Sequence, residues 1–266
     1  MHETKKSLGQ HWLHDTAVLQ GIVRAAAIQP DDTVVEIGPG LGTLTEQLVA
    51  TGAQVLAIEY DDDLLAPLRQ RFDGAGNFRL EHADILQFDF SLLPVGYKIA
   101  ANIPYYLTSH LLRILTDSPT PPERAVLLVQ KEVAERVCAQ PGDMSILGVA
   151  VQLAYEASLG ELVPAELFTP PPKVDSQVLI LQRRAAPLFT NQDGSPLDKK
   201  LCMQVVKAGF SAKRKKLRNT LSGGLHMSKE AAESLLLAAD IDAGRRAETL
   251  SLQEWFRLCK IFKNGL

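Results

Sequence analysis

Short, nearly all-apolar runs alternate with stretches of helical periodicity through the first half of the chain. Residues 33–38, 54–59, 98–101 and 125–129 lack the polar alternation of half-exposed strands, so they predict strands buried on both faces. Residues 77–84 form a weaker candidate. Helices are predicted between them at 43–50, 61–72 and 108–116. Ahead of the first strand, Leu19, Ile22, Val23 and Ala26 follow the spacing of an amphipathic helix. Such alternation implies an α/β fold with a parallel sheet and helices on both faces. Residues 174–181 read as a late strand closing one edge. The stretch 183–200 holds two prolines, a glycine and Asn191-Gln192-Asp193, and reads as a linker. Beyond it the pattern is helical: Ser228 is an N-cap candidate before 231–239, and Leu252, Trp255, Phe256 and Cys259 repeat at helical spacing. The organisation predicted is therefore a sheet domain over 1–185 and a small helical domain over 186–266.

Composition narrows the class. Apolar residues make up 46% of the 266 positions and charged ones 22%, ordinary for a globular protein with a full core. No apolar run is long enough for a transmembrane helix, so no membrane partner is expected. The N-terminus lacks a secretory signal pattern. Cys138, Cys202 and Cys259 are scattered and form no CxxC, so neither a disulfide framework nor a metal site is expected, and the cytoplasm is the expected compartment. The net charge of −3 conceals an asymmetry: −9 over 1–186 and +6 over 187–266. A separate basic unit that touches a polyanion fits this, as does a solvated basic surface.

The first strand runs into Gly38-Pro39-Gly40-Leu41-Gly42 and then a helix. Glycines suit a loop that turns with positive φ and lets backbone approach a ligand. The spacing is GxGxG and not the GxGxxG of dinucleotide binders. Glu59 ends the second strand, where a carboxylate accepts hydrogen bonds from ribose hydroxyls. Asp84 ends the third candidate strand, where its side chain could meet an adenine amino group. The reading is a nucleoside site at the carboxyl ends of neighbouring strands. Glu36, inside the first strand, allows two readings: a complement to a positively charged ligand such as a sulfonium, or a carboxylate capping loop amides.

The fourth strand ends in Asn102-Ile103-Pro104-Tyr105-Tyr106. An adenine amino group is a poor nucleophile because its lone pair is delocalised into the ring. The Asn102 side-chain oxygen and a backbone carbonyl beside Pro104 would hold its two N–H groups and turn the lone pair toward an electrophile. Tyr105 would stack on the base. Alone, the segment is a strand ending in a turn with tyrosines over the core. At the end of strand four in a GxGxG fold, it favours an amino-methyltransferase.

These residues carry a resemblance. Glu36-Ile-Gly-Pro-Gly-Leu-Gly-Thr-Leu-Thr45 with Asn102-Ile-Pro-Tyr105 resembles the ribosomal RNA adenine N6-dimethyltransferases. Lys6-Ser-Leu-Gly-Gln-His-Trp-Leu13 looks like that family's N-terminal motif, and Phe168-Thr-Pro-Pro-Pro-Lys-Val-Asp-Ser176 like a later one. Phe210 to Asn219 and Arg246 to Ser251 are similar to the C-terminal domain of its KsgA-type branch. The resemblance implies a Rossmann-like methyltransferase sheet and a small helical domain, with S-adenosylmethionine as donor. It implies cofactor contacts at His11, Leu13, Gly38, Gly40, Glu59, Asp84 and Asn102, and a target adenine clamped between Tyr105 and Phe168. The implied substrate is a pair of adjacent adenosines in the 3′-terminal hairpin loop of 16S rRNA in the 30S subunit, and the enzyme is expected as a monomer. One departure is visible: His11-Trp12 stands where similar proteins usually have Asn-Phe.

Between Phe210 and Leu221, Lys213, Arg214, Lys215, Lys216 and Arg218 occur without an acidic residue. A solvated face is the plain reading; with the resemblance, these become RNA backbone contacts, with Phe210, Leu217 and Leu221 anchoring the opposite face. Two alternatives keep the fold: a 23S rRNA adenine methyltransferase, and a ribosome-assembly RNA-binding factor that needs no catalysis. A nicotinamide dehydrogenase fits the glycine spacing poorly.

Overall fold

The apolar runs become strands of one sheet. The computed structural model describes residues 9–190, 194–195 and 198–264. Lys6 to Leu8 of the N-terminal motif and Asn191-Gln192-Asp193 of the linker lie outside these. The chain runs β1 (Trp12–Leu13), α1 (Thr16–Ala26), β2 (Thr33–Ile37), α2 (Thr43–Val49), β3 (Gln54–Glu59), α3 (Asp62–Arg71), β4 (Phe78–His82), β5 (Lys98–Asn102), α4 (Thr108–Asp117) and β6 (Arg124–Gln130). There follow α5 (Lys131–Val137), α6 (Ile146–Ala154), β7 (Tyr155–Val163), β8 (Phe168–Thr169) and β9 (Ser176–Arg183). The last four helices are α7 (Lys199–Gly209), α8 (Leu217–Gly224), α9 (Lys229–Ala238) and α10 (Leu252–Asn264).

Packing divides the chain into two units. The first comprises the residues up to Glu135 together with Glu156–Arg183, and the second comprises Arg136–Tyr155 together with 184–266. The sequence placed a single boundary at 185/186. The segment around α6 instead packs with the helices, because Met144 and Val149 are buried in their core.

In the first unit the strand order is β4-β3-β2-β5-β6-β9-β7. The five strands from β4 to β6 pair in parallel, and β9 joins β6 antiparallel. The late strand therefore does not close the edge; β7 does. That strand was missed because its exposed positions, Glu156, Leu159, Glu161 and Leu162, break the apolar run expected of a buried strand. Val34, Ala100, Val126 and Leu128 point to one face and bury Val18, Leu19, Ile22 and Ala26 of α1. Each large apolar side chain removed from water there contributes about 1.5–3 kcal/mol. Asp15 caps α1 by accepting the Val18 N–H at 2.9 Å. Lys98 opens a buried strand at no cost in unpaired charge: its Nζ donates to the Ala27 carbonyl (2.7 Å) and to Asp32 Oδ2 (2.6 Å). Burial opposes ionisation of Asp32, but the Lys98 hydrogen bond and the Gln29 amide hold its carboxyl below the usual value.

A second small ladder positions the site. β1 pairs antiparallel with β8, Trp12 opposite Thr169 and Leu13 opposite Phe168. It ties the N-terminal segment to the chain just ahead of β9.

The second unit has its own core, built on Val205, Val206, Leu217, Leu221, Leu235, Leu236, Trp255 and Leu258. Ser228 caps α9 through the Ala231 N–H at 3.1 Å, as its position predicts. Cys202 of α7 and Cys259 of α10, far apart in sequence, meet inside this core, the Cys259 thiol donating to Cys202 Sγ at 2.8 Å. Gly209, ending α7, lies so close beneath the Trp255 ring that a Cβ would strike it.

Gly209→Ala is therefore expected to destabilise the second unit by about 1–3 kcal/mol through overpacking. A urea titration followed by Trp255 fluorescence would read this as a lower midpoint with an unchanged slope.

Candidate active site

The parallel strands deliver their carboxyl ends to one place. Gly38, Gly40 and Gly42 have φ of +66°, +58° and +80°, values that other residues rarely adopt, and so let β2 turn sharply into α2. The Gly38 N–H donates to the Ile58 carbonyl (2.9 Å), holding the loop to β3. At the end of β3, the buried Glu59 carboxylate fixes the rest of the loop. Its Oε1 accepts the Tyr60 and Asp61 N–H groups at 2.9 and 2.8 Å, and its Oε2 accepts that of Gly40 at 3.3 Å. Burial raises the Glu59 pKa, and the same three amides oppose the rise. Three of about four lone-pair positions are thus engaged, which leaves one on Oε2 for a ligand hydroxyl. Asp84 accepts the Leu86 N–H (2.9 Å) and a Gln87 side-chain N–H (3.1 Å), which hold its turn in shape.

At the end of β5, Asn102 Nδ2 donates to the His11 backbone carbonyl at 3.1 Å. That bond orients the carboxamide, because a carbonyl can only accept; Oδ1 remains as the acceptor end. Pro104 opens a 3-10 turn (Tyr105–Leu107), and its carbonyl takes the Leu107 N–H at 3.0 Å. The Tyr105 hydroxyl is tied to Ser176 Oγ at 2.7 Å, which fixes the ring plane from β9. The His11 ring stacks on Tyr105, with centroids 5.8 Å apart and planes 27° from parallel. Its Nδ1 lies 2.7 Å from the Pro170 carbonyl and so carries the proton.

Every residue that the sequence assigned to the cofactor and the base lines one cavity of about 290 Å³. That volume is near the lower end of small-molecule sites. Gly38 and Asn102 share it. Phe168 is buried, yet it reaches the wall through its pairing with Leu13. The basic residues lie in the second unit: Lys213, Arg214, Lys215 and Lys216 are exposed, whereas half-buried Arg218 forms an ion pair with Glu233 of α9. Leu217 and Leu221 are buried beneath this stretch, and Phe210 stacks on Trp255 with centroids 5.5 Å apart.

Three aromatic lining residues were not assigned to the site from the sequence. Trp12 lays its indole against Gly40, where a Cβ would lie 3.4 Å from the ring. Tyr60 and Tyr106 are each 60% exposed yet line the cavity. Tyr60 follows Glu59 and Tyr106 follows Tyr105, and adjacency to a site residue was the only signal they carried.

An open parallel sheet with acceptors for a nucleoside at one end of its crevice and an oriented amide at the other defines a Rossmann-like methyltransferase. The comparisons agree. The chain matches the family model described as ribosomal RNA adenine dimethylase over residues 1–264, and it belongs to that family. It is 44% identical over 261 residues to the ribosomal RNA small subunit methyltransferase A of Dehalococcoides mccartyi strain CBDB1, covering 97% of this chain and 88% of that one. A dimethyladenosine transferase from Plasmodium falciparum superposes with a TM-score of 0.78 at 27% identity, over 93% of this chain and 96% of that one. The 23S rRNA methyltransferase ErmE gives 0.74 at 29% identity, over 94% and 98%. The chain is thus an S-adenosylmethionine-dependent rRNA adenine dimethyltransferase.

The residues present fit that cofactor. Glu59 keeps an open acceptor position, the loop backbone is unobstructed beside Gly38, and the cavity wall is acidic. Glu59→Gln would turn an amide N–H₂ toward backbone N–H donors. S-adenosylmethionine affinity, read by calorimetry, is expected to fall at least about tenfold, since a buried unsatisfied donor costs about 1–3 kcal/mol.

Proposed function

We propose that this protein dimethylates N6 of two adjacent adenosines in the 3′-terminal hairpin loop of 16S rRNA, acting on the 30S subunit as a cytoplasmic monomer. The observation that carries the reading is the Asn102 carboxamide, oriented by the His11 carbonyl in a residue that lines the same cavity as the glycine loop. The 44% identity to a protein named for the small ribosomal subunit favours 16S over 23S rRNA as substrate.

S-adenosylmethionine supplies, when bound, a methyl group made electrophilic by its sulfonium. The loop backbone at Gly38 and Gly40, with His11, Leu13, Glu59, Asp84 and Asn102, would hold it. Asn102 Oδ1 accepts one N–H of the target amine and the Ile103 carbonyl the other, because the Pro104 carbonyl already takes Leu107. Held this way, the amine presents its lone pair out of conjugation with the ring, and its displaced proton passes to water. Tyr105 and Phe168 clamp the base. Removing a base from its stack costs a few kcal/mol, less in a loop, and stacking returns about 1–3 kcal/mol. The second unit is the RNA-binding domain, with Lys213, Arg214, Lys215 and Lys216 on phosphates; Arg218 is partly committed to Glu233.

Labelled cofactor incubated with unmethylated 30S and 50S particles, followed by mapping of the modified nucleosides, tests the reading. Dimethyladenosine at two neighbouring positions of 16S rRNA is expected; label in 23S rRNA would overturn the substrate assignment. Asn102→Ala is expected to lose methylation by at least about 100-fold, on the scale of a deleted transition-state hydrogen bond, while still binding cofactor. Full turnover would remove Asn102 from the mechanism.

Replacing Lys213, Arg214, Lys215 and Lys216 by Gln is expected to weaken RNA binding at low salt. The slope of log affinity against log salt should flatten by about 0.7–0.9 for each phosphate no longer neutralised, with cofactor affinity unchanged.

A further inference from the structure

Cys202 and Cys259 stand 57 positions apart, and nothing in their spacing pairs them. Folding brings them together inside the second unit. Cys202 lies one turn before Val205 and Val206 on the buried face of α7, and Cys259 follows Trp255 and Leu258 on the buried face of α10. Both are buried, and both are free thiols. Their sulfurs are 2.8 Å apart, so reaching a covalent S–S bond of about 2.05 Å requires a movement of about 0.8 Å. Most buried cysteines pack as small apolar groups against carbon. Here two helices point sulfur at sulfur.

The contact has a direction. The Cys259 S–H donates to Cys202 Sγ, and a longer contact runs from the same S–H to the Cys202 carbonyl at 3.7 Å. That hydrogen bond, with burial added, pushes the Cys259 thiol up, so Cys259 keeps its proton and points it at Cys202. An S–H aimed at a sulfur supports negative charge there, which makes Cys202 the nucleophile of the pair.

We propose that Cys202 and Cys259 form a modification site, closed to a disulfide by hydrogen peroxide, which staples α7 to α10 within the helical unit. The Cys202 sulfur attacks one peroxide oxygen and the O–O bond breaks. The other oxygen leaves as water with the Cys202 proton, and Cys202 becomes a sulfenic acid. Cys259 Sγ then attacks that sulfur, the S–O bond breaks, and a second water leaves with the Cys259 proton. Two thiols lose two electrons in all, and one peroxide is reduced to two waters. Because both sulfurs are buried, the oxidant reaches them in local openings of the unit. The bond closes a loop that contains α8, α9 and the basic stretch Lys213 to Lys216. A cross-link over a long loop constrains mainly the unfolded chain, so the oxidised unit is the more stable form.

The test is exposure of the full chain to hydrogen peroxide, followed by thiol counting and peptide mapping by mass. Free thiols should fall from three to one, and one linked peptide pair should carry Cys202 and Cys259 with a loss of about 2 Da. Dithiothreitol should restore all three thiols. Cys202→Ser and Cys259→Ser should each abolish the linked pair. The urea midpoint of the oxidised protein, followed by tryptophan fluorescence, should rise and return on reduction. Three thiols that persist, even when the exposure is repeated in urea below the midpoint to populate local openings, overturn the proposal. So does a sulfinic acid on Cys202 or Cys259 in place of the link, or a link formed through Cys138. An unchanged or lower midpoint in the oxidised protein overturns the stapling. None of these outcomes bears on the proposed function. Should the serine variants fail to fold, the wild-type peptide map decides alone.

Discussion

One hydrogen bond sets the chemistry of the cavity: Asn102 Nδ2 to the His11 carbonyl. A carboxamide has a donor end and an acceptor end, and a poor nucleophile such as an adenine amine needs acceptors. Because the His11 carbonyl can only accept, it takes the donor end and leaves the oxygen as the acceptor end of a residue that lines the cavity. The interaction uses backbone, so it survives a change of side chain at position 11. The His11 side chain does something else: it bonds the Pro170 carbonyl and stacks on Tyr105. An N-terminal segment that the residue pattern places outside the sheet thus becomes part of the cavity wall. It is held there by the β1–β8 ladder and by the Thr43 hydroxyl on the Leu13 carbonyl.

Charge is divided between the two units in a way that suits the two ligands. The cavity is acidic, which attracts a cationic donor and repels an RNA backbone. The basic stretch lies in the other unit, where Lys213, Arg214, Lys215 and Lys216 are exposed beside a buried Leu217 and Leu221. Overall charge near zero is the sum of two opposite surfaces and describes neither.

The strands of the parallel sheet were legible because both their faces are buried, which leaves unbroken apolar runs such as 33–38 and 125–129. Strand β7 was not, because an edge strand alternates apolar and polar positions and Gly160 interrupts it further. The unit boundary was misread for a related reason. Met144 and Val149 are apolar in either unit, and periodicity does not say which core receives them. Within the site, Gly38, Glu59 and Asn102 were legible because glycine spacing and strand ends constrain residue type. Trp12, Tyr60 and Tyr106 were not, since an aromatic residue near a motif looks the same whether it covers core or cavity.

The succession of parallel strands and the helices between them, the glycine loop, Glu59 and Asp84 at strand ends and the Asn-Ile-Pro-Tyr turn were all determined by sequence, because each depends on local conformation and on spacing along the chain. Tertiary structure decided which end of the Asn102 amide meets the His11 carbonyl and which carboxylate caps the loop. Arg218 was likewise committed to Glu233 only on folding. These depend on contacts between residues tens of positions apart, such as Asn102 with His11, and hydrogen-bond direction in such contacts follows from what the partner can donate or accept.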